Sequence, residues 1–447
     1  MGSVFKAYDV RGIYPSEVNE ELAYNIGRAY VKFLNAKRLI IGMDMRGSSL
    51  SLTFSLIAGI RDMGCNVQFL DLVTTPITYF ATNYYKADGA IMVTASHNPK
   101  EYNGFKFSRE NAIPVGADSG LKDVENLVLE NNFENAKNKG KLTRVDNILR
   151  NYERFIISNL NLKKPLKIVV DASNGMAGYV IPRIFYQVEN LEILEVHFDL
   201  DGNFPNHEAN PIKDENYRDL ELVMKVTQAD LGVMFDGDGD RIGFMDHTQK
   251  IIPADIMTAF LSDHLLPQEI RNKEVIFDVR SSRVVEEVIA KNNGIATLNK
   301  VGHAYMKKTL REHDAVFGGE LAGHFYFRDF FYADSAIFTF IKVLNILSNN
   351  LLSFHELTQR YMKYYGSGEI NFKVVDATEK LNNIIELTKK DENAKINLID
   401  GLRADFPDYW VSIRKSNTEP LLRLVVEATN ETTLKEKTEY YTNLINS

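Results

Sequence analysis

The sequence predicts an α/β protein with three related α/β domains, whose sheets are mixed and largely parallel, and a smaller C-terminal α+β domain. Its 447 residues exceed what one hydrophobic core holds, so several domains are expected. Three short apolar runs, at 39–44, 168–171 and 275–278, each end in Asp and continue into a loop of small residues. A second apolar run follows each of them, at 87–93, 229–235 and 313–317, and opens into a loop of unusual composition.

These six runs are typical of strands buried on both faces, as in parallel sheets covered by helices. Amphipathic stretches such as 21–34 and 282–292 lie between them and predict the covering helices. Because the two strand signals recur in the same order three times, we interpret them as three copies of one unit, at 1–146, 147–246 and 247–360. In open parallel sheets the ligand site lies beyond the carboxyl ends of the strands, and the loops fall there.

The last part of the chain, 361–447, has a different pattern. Residues 370–375 and 409–414 alternate between apolar and polar positions, as half-buried strands do. Residues 421–427 indicate a third strand and 431–445 a closing helix, and a Gly-Ser-Gly segment at 366–368 marks the boundary. These features predict the α+β domain.

The composition excludes several classes of partner. Apolar residues make up 45% and charged residues 25%, as in ordinary globular proteins, and the net charge of −8 argues against nucleic acid or an anionic membrane. Cys65 is the only cysteine, so no intrachain disulfide can form and a reducing compartment is favoured. The start of the chain has no apolar signal region, and the longest apolar stretch, 336–347, is too short to span a bilayer. We expect a cytoplasmic protein.

The loop at 94–99 follows a strand of the buried type and is stopped by Pro99. Its Ser96 can act as a nucleophile or a phosphoryl carrier, with His97 and Lys106 supplying positive charge or proton transfer. A polar turn that uses its Ser and Asn side chains as helix caps is the alternative. Alone, this loop leaves both interpretations open.

The turn at 236–241 has Asp236, Asp238 and Asp240 at alternate positions. Three carboxylates that converge on one point repel each other and need a cation, and hard oxygen ligands favour Mg²⁺ or Ca²⁺ over zinc. An EF-hand is excluded because Arg241 stands at its required glycine position. A haloacid-dehalogenase-type phosphatase also has Asp-x-Asp after a strand, but usually with Thr or Val where Asp240 stands. A solvated acidic turn is the remaining alternative.

Two further loops carry groups suited to a phosphorylated sugar. Glu320 lies between glycines in 318–324, where a carboxylate could accept hydrogen bonds from two neighbouring sugar hydroxyls, although a structural role fits equally well. The turn at 414–420 offers two cations, two hydroxyls, an amide and backbone N–H groups, which together suit a phosphate. An exposed polar connection between strands is the alternative there.

Four motifs therefore occur in a fixed order: Thr-Ala-Ser-His-Asn-Pro at 94–99, Asp-Gly-Asp-Gly-Asp-Arg at 236–241, Gly-Glu-x-x-Gly-His at 319–324, and Arg-x-Ser-x-Thr-Glu-Pro at 414–420. This set resembles the α-D-phosphohexomutase superfamily. The start, Phe-Lys-Ala-Tyr-Asp-Val-Arg-Gly at 5–12, is similar to its phosphomannomutase/phosphoglucomutase branch. The resemblance covers nearly the whole chain, from Phe5 to about Glu427, and four such motifs in order are highly specific.

The resemblance implies four domains around a central cleft and an enzyme that interconverts hexose 1-phosphate and hexose 6-phosphate, with mannose or glucose as the sugar. A phosphoserine at Ser96 and a hexose 1,6-bisphosphate intermediate would carry the phosphoryl group, and a small-molecule sugar phosphate would be the partner. The metal would be Mg²⁺, held by Ser96, Asp236, Asp238 and Asp240. The residues near the transferred phosphate would be Arg11, His97, Lys106 and Arg241. The substrate-binding residues would be Arg280, His303 and Glu320 towards the sugar, and Arg414, Ser416, Asn417 and Thr418 at the non-reacting phosphate.

Two departures from the family pattern bear on the sugar. Ala322 stands where the motif usually has Ser, which removes one hydroxyl contact, and Arg280 stands where parts of the branch have Lys.

The alternatives to a mannose or glucose mutase are an amino-sugar phosphomutase, a Mg²⁺-dependent phosphatase with Asp236 as its nucleophile, and a non-catalytic sugar-phosphate sensor. The sequence leaves open whether Lys106 or His97 is the general base, whether mannose or glucose is preferred, and whether the protein is a monomer or a dimer.

Overall fold

The computed structural model describes residues 4–415 and 421–447. Its strands form four sheets that follow one another along the chain. The first domain has the strands β1 (Val10–Ile13), β2 (Arg38–Met43), β3 (Asn66–Leu72), β4 (Gly89–Val93), β5 (Tyr102–Arg109) and β6 (Leu142–Arg144), with the helices α1 (Glu20–Leu34), α2 (Ser49–Asp62), α3 (Thr75–Tyr84) and α4 (Leu121–Glu130). The order in its sheet is β1-β5-β4-β2-β3-β6.

Helix α1 illustrates how local sequence sets an element. The Asn19 side chain caps its start by accepting a hydrogen bond from the Leu22 backbone N–H at 3.0 Å. Glu20 and Glu21 place negative charge in the first turn, where the helix dipole favours it. The chain leaves the helix through Asn35 in the left-handed conformation, with φ at 50°. The helix predicted at 21–34 is confirmed and is one residue longer.

The second domain has a five-stranded sheet in the order β11-β10-β9-β7-β8. Its strands are β7 (Leu166–Asp171), β8 (Leu191–Val196), β9 (Leu231–Phe235), β10 (Ile242–Asp246) and β11 (Ile251–Ile252), and its helices are α5 (Ile148–Ser158), α6 (Ala177–Phe185) and α7 (Arg218–Thr227). The strand β11 lies beyond residue 246, where the sequence analysis places the domain boundary, and it pairs antiparallel with β10.

The third domain has a five-stranded sheet in the order β13-β12-β14-β15-β16. Its strands are β12 (Glu274–Asp278), β13 (Ile295–Asn299), β14 (Phe317–Gly319), β15 (Phe325–Phe327) and β16 (Ala333–Asp334). Its helices are α8 (Ala254–Leu265), α9 (Arg283–Lys291), α10 (His303–Glu312), α11 (Ala336–Ser348) and α12 (Phe354–Gln359). Short 3₁₀ helices along the whole chain are Glu110–Ala112, Ala117–Ser119, Asp214–Tyr217, Leu266–Gln268 and Arg328–Phe330.

The three α/β sheets share one pairing pattern. A central strand, β2, β7 or β12, pairs in parallel with the strand that follows it, β3, β8 or β13. The central strand also pairs in parallel with the strand of the second apolar run, β4, β9 or β14. That strand then pairs antiparallel with β5, β10 or β15. The prediction of three related α/β units with mixed sheets is confirmed, with parallel pairs at the centre of each sheet.

The strand β14 begins later than its apolar run predicts. The run covers 313–317, but the strand starts only at Phe317. The reason is the end of α10, where the Ala315 N–H donates to the Leu310 carbonyl at 2.9 Å and holds 313–315 in the turn that closes the helix. Apolar content alone does not separate a helix terminus from the start of a buried strand.

The fourth domain is an antiparallel sheet with two helices, which confirms the predicted α+β class. Its strands are β17 (Tyr365–Gly366), β18 (Ile370–Lys373), β19 (Lys395–Asn397), β20 (Leu402–Asp405), β21 (Tyr409–Lys415) and β22 (Leu421–Ala428), and its helices are α13 (Ala377–Thr388) and α14 (Glu431–Asn446). The strands predicted at 370–375, 409–414 and 421–427 correspond to β18, β21 and β22, and the predicted closing helix corresponds to α14.

A continuous hydrophobic core joins the three α/β domains. Phe80 of α3, Tyr152 of α5 and Phe338 of α11 belong to one buried cluster, and separate clusters lie in the first and fourth domains. The rings of Phe80 and Tyr152 pack edge to face with their centroids 5.4 Å apart. Because close-packed interiors resist deformation, the shared core holds the loops of the three sheets in fixed positions.

Among the described helices, none combines the length and the apolar character that a membrane crossing needs.

Candidate active site

Two of the predicted loops meet beyond the carboxyl ends of β4 and β9. Ser96 follows β4 in the left-handed backbone conformation, with φ at 53°, which turns the chain sharply. Gly237 of the second loop packs against it so closely that a Cβ at this position would lie 2.5 Å from the Ser96 carbonyl oxygen. Only glycine permits this approach, so the contact between the loops depends on it.

The Ser96 hydroxyl lies among the acidic residues of the second loop. Its Oγ donates a hydrogen bond to Asp236 Oδ2 at 2.8 Å and lies 3.3 Å from His97 Nδ1. The residue is buried, with 1% of its surface exposed. The structure therefore brings together the predicted phosphoryl carrier and the predicted metal-binding loop, 140 residues apart in the chain.

The three aspartates form a buried cluster that could bind a metal ion. Ligand atoms of Asp236, Asp238 and Asp240 all lie within 4.8 Å of one another, and none of the three residues is more than 2% exposed. Asp238 Oδ1 is buried and accepts no hydrogen bond from the described residues. The Lys106 ammonium lies against the cluster, 2.7 Å from Asp238 Oδ2 and 2.5 Å from Asp240 Oδ2. Oxygen donors with spare lone pairs are the ligands that hard divalent cations prefer.

The cluster shifts the pKa values of its members in opposite directions. Burial and the neighbouring carboxylates of Asp240 and Asp238 raise the pKa of Asp236 well above its usual range. Burial would also raise the pKa of Asp240, but the Lys106 ammonium outweighs it and holds that pKa well below its usual range. Although burial disfavours its charge, Lys106 has a raised pKa because Asp238 and Asp240 lie beside it. The cluster is therefore short of positive charge and suited to a cation.

The remaining predicted cations surround this cluster. Arg11 of β1 donates to the Asn98 side chain of the Ser96 loop and pairs with Asp9 at 2.5 Å. Arg241 Nε lies 3.9 Å from Asp236 Oδ2 and donates to His324 Nε2 at 3.2 Å. Burial and the positive charges of Arg241, Arg11 and Lys106 hold the pKa of His97 well below its usual range, so its imidazole is neutral at pH 7.

A cleft of about 620 Å³ lies beside the cluster and between the domains. His97 and Arg241 form part of its wall, and they contact Ser96 and Asp236. The wall also contains Arg280, His303, Glu320 and Arg414, which the sequence analysis assigns to substrate binding. All four domains contribute lining residues, among them Tyr8 and His97 of the first, Arg241 of the second, His303 of the third and Arg414 of the fourth.

Glu320 already has protein partners on both carboxylate oxygens. Oε1 accepts a hydrogen bond from the Gly302 backbone N–H at 2.7 Å, and Oε2 accepts one from the Tyr326 hydroxyl. A carboxylate offers about four lone-pair sites, so two remain for a ligand. His303, at the start of α10, stacks edge-on against Tyr8 with ring centroids 5.3 Å apart. Ala322 also lines the cleft and offers no hydroxyl to it.

The phosphate-binding prediction is only partly covered by the structure. Arg414, at the end of β21, is 3% exposed and donates to Glu369 Oε2 at 2.9 Å. Arg280 pairs with Asp278 at 2.8 Å and lies 3.6 Å from the same Glu369 carboxylate. The predicted residues Ser416, Asn417 and Thr418 lie outside the described residues.

Some residues of the site were not predicted from the sequence. His324 belongs to a quoted motif but received no role; its ring lies 3.4 Å from Asp240 Oδ1 and 3.5 Å from Glu320 Oε2. Arg46 was also missed, although the repeat contains a signal for it. It follows Asp44 at the same spacing at which Arg280 follows Asp278, and each arginine pairs with that aspartate.

Arg46 holds the loop that carries Ser96. The guanidinium is 3% exposed and donates to the carbonyl oxygens of Ser96, Asn98, Pro99 and Tyr102 at 2.6–3.1 Å. Lysine would keep the charge but not the planar fork of donors. We expect Arg46→Lys to lower the free energy of unfolding by about 1.5–3 kcal/mol, the usual contribution of hydrogen bonds to a charged group.

Urea titration measures that loss, and hydrogen exchange should report faster opening of 94–99. The matched control is Arg38→Lys, because Arg38 also donates to two loop carbonyls, those of Tyr85 and Lys86, but far from Ser96. Unchanged exchange at 94–99 in Arg46→Lys would show that the guanidinium does not hold the loop.

Four family models match consecutive parts of the chain. They are described as phosphoglucomutase/phosphomannomutase alpha/beta/alpha domains I, II and III and the C-terminal domain, and they match residues 2–135, 146–249, 253–365 and 369–439. Together the matches cover most of the 447 residues.

Full-length relatives point the same way. The chain is 38% identical over 460 residues to the phosphomannomutase of Vibrio cholerae serotype O1, covering 99% of this chain and 98% of the relative. It is 36% identical over 440 residues to the phosphomannomutase/phosphoglucomutase of Pseudomonas syringae pv. tomato, covering 97% and 93%. A crystal structure of a phosphoglucomutase/phosphomannomutase family protein from Burkholderia thailandensis matches with a TM-score of 0.89 and 30% identity, covering 99% and 97%. The chain belongs to the phosphoglucomutase/phosphomannomutase family.

Proposed function

We propose that Ser96 carries the phosphoryl group in this hexose phosphate mutase, as a phosphoserine that exchanges with the 1- and 6-oxygens of the sugar. The main support is the position of Ser96 Oγ, buried and 2.8 Å from Asp236 Oδ2 in a cluster of carboxylates and cations. Phosphoryl transfer depends mostly on positioning and charge neutralisation, and this arrangement supplies both.

We assign the metal implied by the resemblance, Mg²⁺, to Ser96, Asp236, Asp238 and Asp240. The fit rests on the donor set: the aspartate oxygens are hard ligands, and Asp238 Oδ1 is buried without a hydrogen bond from the described residues. When bound, the ion would neutralise charge on the phosphoryl oxygens as a Lewis acid.

In the first step, the free hydroxyl of a hexose monophosphate attacks the phosphorus of phospho-Ser96. The new P–O bond to the sugar forms as the bond to Ser96 Oγ breaks. The hydroxyl proton passes to a base on the protein and from there to Ser96 Oγ, which leaves as a hydroxyl. Arg11 and Arg241 add positive charge around the transferred group, since both contact the Ser96 loop or its aspartate partner. The product of this step is a hexose 1,6-bisphosphate.

The contacts of the two residues favour His97 over Lys106 as that base. The Lys106 ammonium is already paired with Asp238 and Asp240, at 2.7 and 2.5 Å, and we assign it the role of a cation. His97 is kept neutral by burial and by the neighbouring cations, and its Nδ1 lies 3.3 Å from Ser96 Oγ. A neutral imidazole can accept a proton at pH 7, whereas a protonated ammonium cannot.

The bisphosphate must then turn end for end, so that its other phosphate reaches Ser96. The contacts that bind the distal phosphate must break and form again in each turnover. This requirement fits the position of Arg414 on a separate domain. We include Ser416, Asn417 and Thr418 in these contacts on the basis of the family motif. Arg280, His303 and Glu320 line the same cleft, and we assign them to substrate binding.

For the sugar we propose mannose and glucose, which differ only in the configuration at carbon 2. The names of the two relatives described above, a phosphomannomutase and a phosphomannomutase/phosphoglucomutase, support this choice. An amino-sugar phosphate is the second candidate, because Ala322 removes a hydroxyl contact at the sugar.

We also propose that the protein is located in the cytoplasm. For the four domains we propose the bounds 1–146, 147–246, 247–360 and 361–447.

A ³¹P NMR time course tests the function. The protein is incubated with Mg²⁺, a catalytic amount of hexose 1,6-bisphosphate and either mannose 1-phosphate, glucose 1-phosphate or glucosamine 1-phosphate. We expect a growing 6-phosphate signal with mannose and glucose and no inorganic phosphate. Release of inorganic phosphate would favour a phosphatase instead, and faster conversion of glucosamine 1-phosphate would make the amino sugar the substrate.

A further inference from the structure

One carboxylate in the wall of the cleft, that of Glu369, contacts three arginines. Glu369 Oε2 accepts a hydrogen bond from Arg414 at 2.9 Å, and Oε1 accepts one from Arg423 at 2.8 Å. Arg280, from the third domain, lies 3.6 Å from Glu369 Oε2. All four residues line the cleft.

The strand pairing places two of these arginines side by side, so their positive charges need a negative charge between them. Arg414 of β21 and Arg423 of β22 are directly opposite each other in the antiparallel ladder, so their side chains leave the same face of the sheet. Like charges at such a position repel each other. Glu369 precedes β18, which pairs with β22, and this neighbouring position allows its side chain to reach both guanidinium groups.

The pKa values of Glu369 and Arg414 are shifted in the directions that this geometry predicts. Burial opposes the ionised form of Glu369, but Arg280, Arg414 and Arg423 outweigh it and lower its pKa. The pKa of Arg414 is lowered by burial and by Arg280, and Glu369 acts against both. The cluster therefore contains two buried guanidinium groups from different domains that repel each other, with Glu369 between them.

We propose that Glu369 is a positioning residue for the substrate's distal phosphate: it orders Arg414 and Arg423 beside Arg280, so that the phosphate meets donors already in place. A long charged side chain loses rotamer freedom when it binds, and ordering it beforehand removes that cost from the binding step. Glu369 needs no contact with the substrate to act in this way. The inference rests on the proposed function, in which Arg414 grips the non-reacting phosphate.

Glu369→Gln keeps the shape of the side chain and removes its charge. We expect KM for hexose 1-phosphate to rise about tenfold, with kcat changed less than about threefold, because charge-assisted hydrogen bonds are roughly twice as strong as neutral ones. Glu369→Asp keeps the charge and should recover part of the affinity. The matched control is Glu386→Gln in the same domain, an exposed glutamate paired with Lys389, which should leave KM unchanged.

A double-mutant cycle separates the inference from the proposed function. Because Glu369 orders both Arg414 and Arg423, Glu369→Gln should raise KM by a smaller factor in the Arg414→Ala background than in the parent. Additive effects, or an unchanged KM in Glu369→Gln while Arg414→Ala raises KM, would overturn the inference and leave the phosphate grip intact. An unchanged KM in Arg414→Ala would instead show that Arg414 does not bind the non-reacting phosphate, and the proposed function of this loop would be wrong.

Binding of hexose 1-phosphate by calorimetry in the Ser96→Ala background provides a second measurement that does not depend on turnover. Glu369→Gln should weaken this binding by about the same factor as it raises KM. Thermal unfolding of each variant shows whether it is folded. If Glu369→Gln does not fold, the comparison of Glu369→Asp with the parent decides, because the aspartate is one methylene shorter. Binding equal to that of the parent would then overturn the inference.

Discussion

Replacing Ser96 by alanine is expected to reduce turnover at least about a thousandfold, which corresponds to about 4 kcal/mol of transition-state stabilisation. The Oγ atom is the proposed acceptor and donor of the phosphoryl group, so no other atom of the variant can take its place. The hydroxyl donates one hydrogen bond, to Asp236, and its loss should leave the fold intact. The mutase assay measures turnover, and intact mass spectrometry should detect a phosphorylated fraction in the parent that the variant lacks.

Ser108→Ala is the matched control for this prediction. Ser108 is a buried serine of the same domain whose Oγ makes no hydrogen bond to the described residues. Removing an unsatisfied buried hydroxyl is neutral or slightly stabilising, so the control should keep full activity. Substantial turnover in Ser96→Ala, with the same protein stock free of contaminating mutase, would rule out Ser96 as the carrier.

Replacing Lys106 by methionine is expected to destabilise the metal-free protein by about 3–5 kcal/mol, because removing one partner of a buried ion pair leaves the other charge uncompensated. Here the ammonium lies within 2.7 Å of Asp238 and 2.5 Å of Asp240. Activity should fall as well, since the lysine places positive charge beside Ser96. Urea unfolding in the presence of EDTA measures the loss of stability.

The same variant should depend on metal more strongly than the parent does. A divalent cation on the aspartates would supply the charge that Lys106 no longer provides, so saturating Mg²⁺ should restore part of the stability. Lys307→Met is the matched control: Lys307 is also buried and lies 2.7 Å from Asp334, which is not one of the three proposed metal ligands. If Mg²⁺ stabilises both variants to the same extent, the proposed site for the ion is wrong.

Much of the fold was predictable because its signals are local. The apolar runs, the caps such as Asn19 and the alternation at 370–375 and 409–414 depend on neighbouring residues, and the structure has the corresponding strands and helices. The late start of β14 shows where this reasoning ends, because an apolar run does not distinguish a closing helix turn from a strand. The order of strands in each sheet was not predicted, since it depends on which elements pack together.

The amino-acid sequence alone shows which chemical groups the protein has and where they lie relative to its strands. Ser96, the three aspartates and Glu320 were found because each stands in a loop after a buried strand, and strand ends of parallel sheets define a ligand site. The internal repeat even contained the signal for Arg46, through the spacing of Asp44 and Arg46 that recurs in the third domain.

The tertiary structure alone decided which of these groups meet. Lys106 reaches Asp238 across 132 residues, Glu369 reaches Arg423 across 54, and His324 lies beside Asp240. No local pattern predicts these contacts. The contacts of Lys106 and His324 depend on how separate sheets pack together, and that of Glu369 depends on which strands pair in the fourth sheet. Coulomb energies and hydrogen bonds act over a few ångströms in space, so the charge state and the alignment of the site are properties of the packed domains.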